Sequence, residues 1–342
     1  MLGRIVIIAG LTVATAYGVL VFETQKFLTP TETFSALIEE SPEIKKGDNI
    51  FTIGWVGDMV PTNDILFNTT AFENVSAYTK SPTIMIGNLE GTFAQEDRVS
   101  KCTYMTNRCH AFRGDKSFAE SLKIAGFDFI NLVNNHSYDF GDEGLADTEQ
   151  VLTEFDIPFI SQTKPVAEFV KDGKKVGILG VSSTPPKNTI TDYIFIEETI
   201  KMLKSRNDIV ILIFHGGAEG SDKTIVTGNY EYVGTENRGN VEMVAKKSID
   251  AGADIVLGSG PHVLRKVEYY KNRPIIYSAG NFFGGNQKLT TKGILGISAI
   301  FTVTKSGEVF SHKITPIVLS EQGVPQYDQS EQSINLIEGL SQ

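Results

Sequence analysis

The chain has 342 residues, 41% of them hydrophobic and 21% charged, a globular composition too apolar for a disordered chain. Its formal net charge is -10 and it contains no basic run, which excludes nucleic-acid binding through clustered Lys and Arg. The same charge would repel an acidic polymer unless metal ions offset it locally.

Ile5 to Phe22 is a nearly unbroken apolar segment of about 18 residues, long enough to span a bilayer. Arg4 precedes it while Glu23 and Lys26 follow, which predicts a cytoplasmic amino terminus with the bulk of the chain outside. Residues 1–26 therefore read as an uncleaved signal anchor, a transmembrane helix. The small residues of Ala14-Thr15-Ala16 leave a cleaved signal peptide as the alternative. Residues 27–48 carry Glu, Lys, Thr and Pro with little periodicity and suit a linker. The expected localisation is the cell membrane, single-pass, with the folded domain extracytoplasmic. A cytosolic enzyme beginning with an ordinary helix is the competing reading.

From Asn49 onward, apolar runs of strand length alternate with helix-period segments, as in βα units with a largely parallel sheet. The run from Phe51 to Gly57 predicts a strand delivering Asp58, and the run from Ile84 to Leu89 one delivering Glu90. Cys102 and Cys109 are too few for a zinc knuckle. Outside the cytoplasm a local disulfide is the better reading, with two free thiols the alternative. Phe118, Leu122 and Ala125 share a helix face ending at Gly126, and a strand over 128–133 leads into Asn134-Asn135-His136. Leu145, Val151, Leu152 and Phe155 mark the next helix, and Asp172-Gly173 the turn of a hairpin. A strand over 209–214 delivers His215, a helix through Val241, Val244, Ala245 and Ile249 stops at Gly252, and a strand over 254–257 leads to His262. Several strands follow from Arg265 to about Pro316, so a second sheet packed on the first, with helices outside both, is the economical fold. The domain is expected over 49–320, with a polar tail over 321–342.

Strand ends that deliver carboxylate, amide or imidazole groups describe one site assembled from distant sequence. That ligand mixture fits divalent ions of borderline hardness, Mn²⁺, Zn²⁺ or Fe²⁺, one or two of them. Asp58 and Glu90 would supply negative charge, and Asn135, His215 and His262 neutral ligands. Such an ion pair can activate a water and hold a transferring phosphoryl oxygen. The lone Trp55 reads as core.

Six segments occur in order: Gly57-Asp58-Met59, Asn88-Leu89-Glu90-Gly91, Asn134-Asn135-His136 through Gly141, Phe214-His215 through Gly220, Gly252 through Pro261-His262, and Ile276 through Asn281-Phe282. Together they resemble the poly-γ-glutamate capsule synthesis family, the CapA or PgsA proteins, a bacterial branch of the calcineurin-like metallophosphatase fold. The resemblance covers roughly residues 50 to 320 and implies a four-layer α/β/β/α sandwich, an α/β fold, with membrane attachment. It implies that Asp58 ligates one metal, Glu90 bridges, Asn135 and His215 hold the second metal, and His262 returns to the first. His136 matches a position that contacts substrate and protonates a leaving group, with Asp139 orienting it. Asn134, Glu219 and Asn281 are candidate substrate contacts. Asn134 has a competing role in tying loop backbone, Glu219 as a solvated loop acid, and Asn281 in shaping the pocket wall. Met59 and Val60 depart from the Asp-x-His of the founding phosphatases, and Ser259 and Gly260 stand where many relatives place a histidine. The implied function is capsule or poly-γ-glutamate biosynthesis or export through a metal-dependent hydrolase site. Its expected partners are an anionic polymer or phosphoester substrate, the membrane and a membrane-bound polymer synthase. The alternative is a non-catalytic scaffold that binds polymer or synthase in a degenerate pocket.

Overall fold

The computed structural model describes residues 50–61, 70–104, 109–184, 189–284 and 296–341. The chain starts in one sheet, crosses to a second and returns to the first. Strands β1 (Ile50–Val60), β2 (Ile84–Leu89), β3 (Phe129–Asn131) and β4 (Phe159–Ile160) run parallel in sequence order. Strands β5 (Val166–Lys171), β6 (Lys174–Ser182) and β7 (Ile209–His215) begin the second sheet. After a small hairpin, β8 (Tyr232–Val233) and β9 (Glu236–Asn237), that sheet is completed by β10 (Ile255–Ser259), β11 (Val267–Tyr270) and β12 (Arg273–Ile276). The chain then rejoins the first sheet with β13 (Asn281–Gly284), β14 (Ile297–Ser306), β15 (Val309–Leu319) and β16 (Pro325–Tyr327). The β5–β6 hairpin turns at Asp172 and Gly173, both at positive φ, as the sequence predicts.

Helices cover both outer faces. Beyond a one-turn helix α1 (Ser76–Thr79), α2 (Ser117–Ala125) and α3 (Gly141–Glu154) pack on the first sheet, burying Phe118, Leu122, Leu145 and Leu152 against Met85 and Ile130. On the second sheet, α4 (Tyr193–Lys204) and α5 (Val241–Ala251) bury Ile196, Ile200, Val244 and Ile249 against Val210, Leu212 and Val256. Asp192 and Asn240 cap these two helices by accepting the backbone N–H of Phe195 and Met243. Gly126 and Gly252 end α2 and α5 in the left-handed conformation. A third core lies between the sheets, where Trp55, Ile84, Ile86 and Phe129 meet Ile178, Ile209, Ile211, Ile213, Ile255 and Leu257. Three apolar cores separate four layers, the α/β/β/α order that the resemblance implies.

Two expectations need correction. The strand expected over 128–133 stops at Asn131, whose side chain bonds both the N–H and the carbonyl of Val133 and turns the backbone out of the ladder. The expected polar tail is folded. After β16, helix α6 (Gln332–Leu340) buries Ile337 in the inter-sheet core, and the Ser341 hydroxyl accepts from Val267 N–H of the second sheet. Among the described residues no helix is long and apolar enough to cross a membrane. The anchor expected at 1–26 and the linker at 27–48 lie outside them.

Candidate metal centre

Strand alternation places the site. In β2, Ile84 and Ile86 face the other sheet and Asn88 continues their side. In β7, Ile209, Ile211 and Ile213 do so and His215 continues theirs. In β10, Ile255 and Leu257 precede Ser259, and in β3 Phe129 precedes Asn131. The inter-sheet core therefore turns polar at the carboxyl ends of its strands. Asp58 reaches the same volume by a different device. The register of β1 slips on both sides of it, and Gly57 permits the slip because a Cβ there would meet Gly280 O at 2.0 Å. Asp58 N–H then donates to Gly280 O at 3.0 Å.

Asp58 and Glu90 are fully buried. Asp58 Oδ1 accepts from Asn88 Nδ2 at 2.7 Å, while its Oδ2 lies 3.1 Å from His262 Nδ1 and accepts from Gly260 N–H at 3.3 Å. Glu90 Oε1 lies 3.5 Å from His215 Nε2 and 3.8 Å from His136 Nε2, and Glu90 Oε2 lies 3.7 Å from His262 Nδ1. Ligand atoms of Asp58, Glu90 and His262 all fall within 4.8 Å of one another. His262 holds this place from a left-handed backbone at φ 61, a strained conformation for a non-glycine residue, and its Nδ1 also faces Asn281 Oδ1 at 3.0 Å.

Both oxygens of Glu90, Oδ1 of Asn135 and Nε2 of His215 are buried without a hydrogen-bond partner among the described residues. Each orphaned group costs about 1–3 kcal/mol, so four of them weigh heavily against the fold. All four are carboxylate, amide or imidazole atoms, the donor types that borderline divalent ions take. The residues present fit such an ion: Asp58, Glu90 and His262 form one donor set, with the unpartnered His215 Nε2 3.5 Å from Glu90 Oε1.

Burial would raise the Asp58 carboxyl, but His262, His215 and Asn88 together outweigh it and hold Asp58 below its ordinary value. Burial first, then the charge of Asp58, pushes Glu90 well above the carboxylate range. For His262, burial is overcome by Glu90 and Asp58, which lift it to about 10. These three groups bind protons as a unit, and without a metal the unit retains an extra proton at neutral pH. Burial drives His215 well below its usual value, so it is neutral, with Nδ1 fixed 3.0 Å from Ser259 Oγ.

His136 packs its ring against Phe112, centroids 4.5 Å apart, and directs Nδ1 at Asp139 Oδ2, 2.9 Å away. The fully buried Asp139 is held in turn by Lys101 Nζ at 2.6 Å and Phe112 N–H at 2.6 Å. Burial lowers the His136 pKa against the pull of Asp139. At neutral pH its proton sits on Nδ1, bonded to the carboxylate, and Nε2 is bare. An imidazole held in this way can take up a proton at Nε2 and release it again. Cys102, next to Lys101 in sequence, is disulfide-bonded to Cys109.

The other candidates divide. Asn134 is fully buried, its amide donating to Asn88 Oδ1 at 3.1 Å and Leu89 O at 2.8 Å while its oxygen accepts from His136 N–H. These bonds tie the loop after β3 to the end of β2. Asn281 faces His262. Glu219, 29% exposed, lies at the rim with Oε1 3.9 Å from His262 Nε2 and 3.1 Å from Arg238 Nη2.

Sequence reasoning missed Asn88, the hub that joins Asp58, His215, Asn131 and Asn134. Its signal was present: it continues the inward alternation of Ile84 and Ile86. It also missed the buried Arg238, for which the sequence carries no signal. Gly260 takes φ 109, and a Cβ there would lie 2.9 Å from both N and O of Gly216. No side chain fits that position in this fold, so the missing histidine at 260 is built into the backbone.

The family model described as bacterial capsule synthesis protein PGA_cap matches residues 47–286. The chain is similar to "Capsule biosynthesis protein CapA" of Bacillus anthracis, 28% identical over 62% of this chain and 53% of the relative. It is also similar to "PGA biosynthesis protein CapA" of Bacillus subtilis, 25% identical over 71% of this chain and 66% of the relative. Only about half to two thirds of those relatives' length is therefore matched. Among solved structures, a hypothetical protein from Thermus thermophilus aligns with TM-score 0.49 at 13% identity, over 78% of this chain and 99% of that one. Purple acid phosphatase PPD1 from yellow lupin aligns with TM-score 0.41 at 10% identity, over 78% of this chain and 52% of that one. With its ordered motifs inside a family match that covers most of its length, the chain belongs to the bacterial capsule synthesis protein PGA_cap family.

Proposed function

We propose that this is a membrane-anchored, extracytoplasmic protein of capsule or poly-γ-glutamate biosynthesis or export whose domain is a metal-dependent hydrolase of metallophosphoesterase type. The observation that carries the hydrolase reading is the set of orphaned donor atoms on Glu90 and His215 beside Asp58 and His262, with Asn135 Oδ1 also unpartnered among the described residues. Bound Mn²⁺, Zn²⁺ or Fe²⁺ would supply a Lewis acid that acidifies water and neutralises a phosphoryl oxygen. Asp58, Glu90 and His262 would hold one ion, and Glu90, Asn135 and His215 the other. Ser259 fixes the ring orientation of His215 and leaves its Nε2 facing Glu90, while His262 turns Nδ1 toward Asp58, Glu90 and Asn281. His136 takes up a proton at Nε2 and returns it to the leaving oxygen, with Asp139 stabilising the imidazolium so formed.

The membrane and polymer parts of the proposal rest on the apolar run from Ile5 to Phe22 and on family membership. The test is metal content of the purified full chain together with turnover of a generic phosphodiester, in wild type and His215→Ala. The expected result is bound metal and turnover that the substitution abolishes. A chain that takes up no Mn²⁺, Zn²⁺ or Fe, with capsule function intact in His215→Ala, leaves the scaffold role in its place.

A further inference from the structure

We infer that Arg238 is a substrate-contacting residue: its guanidinium receives an anionic oxygen of the substrate between itself and His262, and Glu219 holds that place when substrate is absent. The inference rests on the metal-centre reading and names what that centre recognises.

Arg238 lies between β9 and α5 with its side chain fully buried, a state Arg rarely adopts unless paired. Two of its nitrogens are clamped. Nε donates to Gly217 O at 3.2 Å, and Nη1 donates to Glu236 Oε1 at 3.3 Å, an oxygen that also accepts from Ser183 Oγ at 2.8 Å. Nη2 has no aligned acceptor among the described residues, because the Glu219 oxygen 3.1 Å away forms an ion pair off the hydrogen-bonding direction. Nη2 lies beside Gly260, where an added Cβ would come within 3.1 Å of it. Gly260 is the residue whose N–H binds Asp58, two positions before His262. The guanidinium thus borders the metal centre without taking a ligand's place.

Glu219 Oε1 lies between Arg238 Nη2, at 3.1 Å, and His262 Nε2, at 3.9 Å. A carboxylate oxygen between a guanidinium and an imidazole marks the position that another oxyanion would take. Glu219 is on the rim and partly exposed, so it can swing out, whereas Arg238 is held at both remaining corners of its fork. Asp58, Glu90 and Glu219 would otherwise make this pocket hostile to anions. The shared chemistry is a single oxyanion with two sources, a phosphoryl oxygen or the carboxylate of a glutamyl chain.

The experiment titrates the manganese-loaded full chain with inorganic phosphate and, separately, glutarate, in wild type, Arg238→Lys and Glu219→Gln, with metal content measured for each. Arg238→Lys keeps the charge but not the fork, and should weaken the anion that binds by about tenfold at unchanged metal content. Glu219→Gln removes the competing carboxylate and should tighten it severalfold. Weakening confined to phosphate assigns a phosphoester, and weakening confined to glutarate a carboxylate polymer. Wild-type affinity in Arg238→Lys, weaker binding in Glu219→Gln, or no binding of either anion overturns the inference. Should Arg238→Lys fail to fold, Glu219→Gln alone decides. A wild-type chain without metal defeats the metal-centre reading instead. The same titrations in metal-free protein then judge Arg238 separately: binding that depends on it sustains the inference and its absence refutes it.

Discussion

Glu90→Gln should make the metal-free protein more stable while destroying its response to metal. Glu90 is fully buried with neither oxygen hydrogen-bonded, and burial together with Asp58 pushes its pKa well above the ordinary 4.5. Between 4.5 and that raised value the folded chain keeps a proton that the unfolded chain has lost. The stability that Glu90 contributes is therefore fully present below 4.5 and is lost as pH rises toward its raised value. His262, lifted to about 10 by the Glu90 and Asp58 charges, titrates together with Glu90, so the comparison with Glu90→Gln reads the pair. From pH 5 to 6.5 the wild type should lose stability relative to Glu90→Gln, by at most about 1.4 kcal/mol per pH unit. Urea unfolding of both chains in chelator across this range reads the difference directly. Manganese at a hundred times its dissociation constant should then stabilise the wild type by about 2.7 kcal/mol and leave the variant unmoved. Parallel pH dependences in chelator, or equal stabilisation of both chains by manganese, would refute the reasoning.

Ser259→Ala should free the His215 ring and lower metal affinity about 10- to 100-fold, measured by competition with a metal indicator. Gly260→Ala should destabilise the fold by about 2–6 kcal/mol, from a strained φ and a methyl driven onto the Gly216 backbone, seen as a lower urea midpoint. Because burial lowers His136 and Asp139 raises it, activity should fall as pH drops through a value below 6.5. Asp139→Asn should move that acid limb lower still and reduce turnover about 10²-fold or more, read from a pH–rate profile.

The alternation of Ile209, Ile211 and Ile213 with Val210, Leu212 and Phe214 revealed a strand covered on both faces, and hence the layered fold. The glycine stops at 126 and 252 marked two helix ends. The site was legible where a long apolar run ends in a residue with no reason to be buried, as at His215 and Glu90. It was not legible where asparagine serves structure. Asn88 and Asn131 look like turn residues in sequence, and only the partner strand shows that they bind each other's loops. Helix α6 escaped notice because its apolar residues are few, and the burial of Ile337 depends on a core built by strands distant in sequence.

The route of the chain has a consequence for its birth. Strand β1 lies between β2 and β14, and its pairing of Ile50 with Ser306 and Trp55 with Phe301 joins segments made far apart in time. While the ribosome supplies the intervening stretch, one flank of β1 presents bare amide and carbonyl groups beside Phe51, Ile53 and Trp55. Assembly is bound to be slow and vulnerable to sticking until that late partner arrives. That flank of β1 stays open to wrong pairings until the segment carrying β14 has emerged.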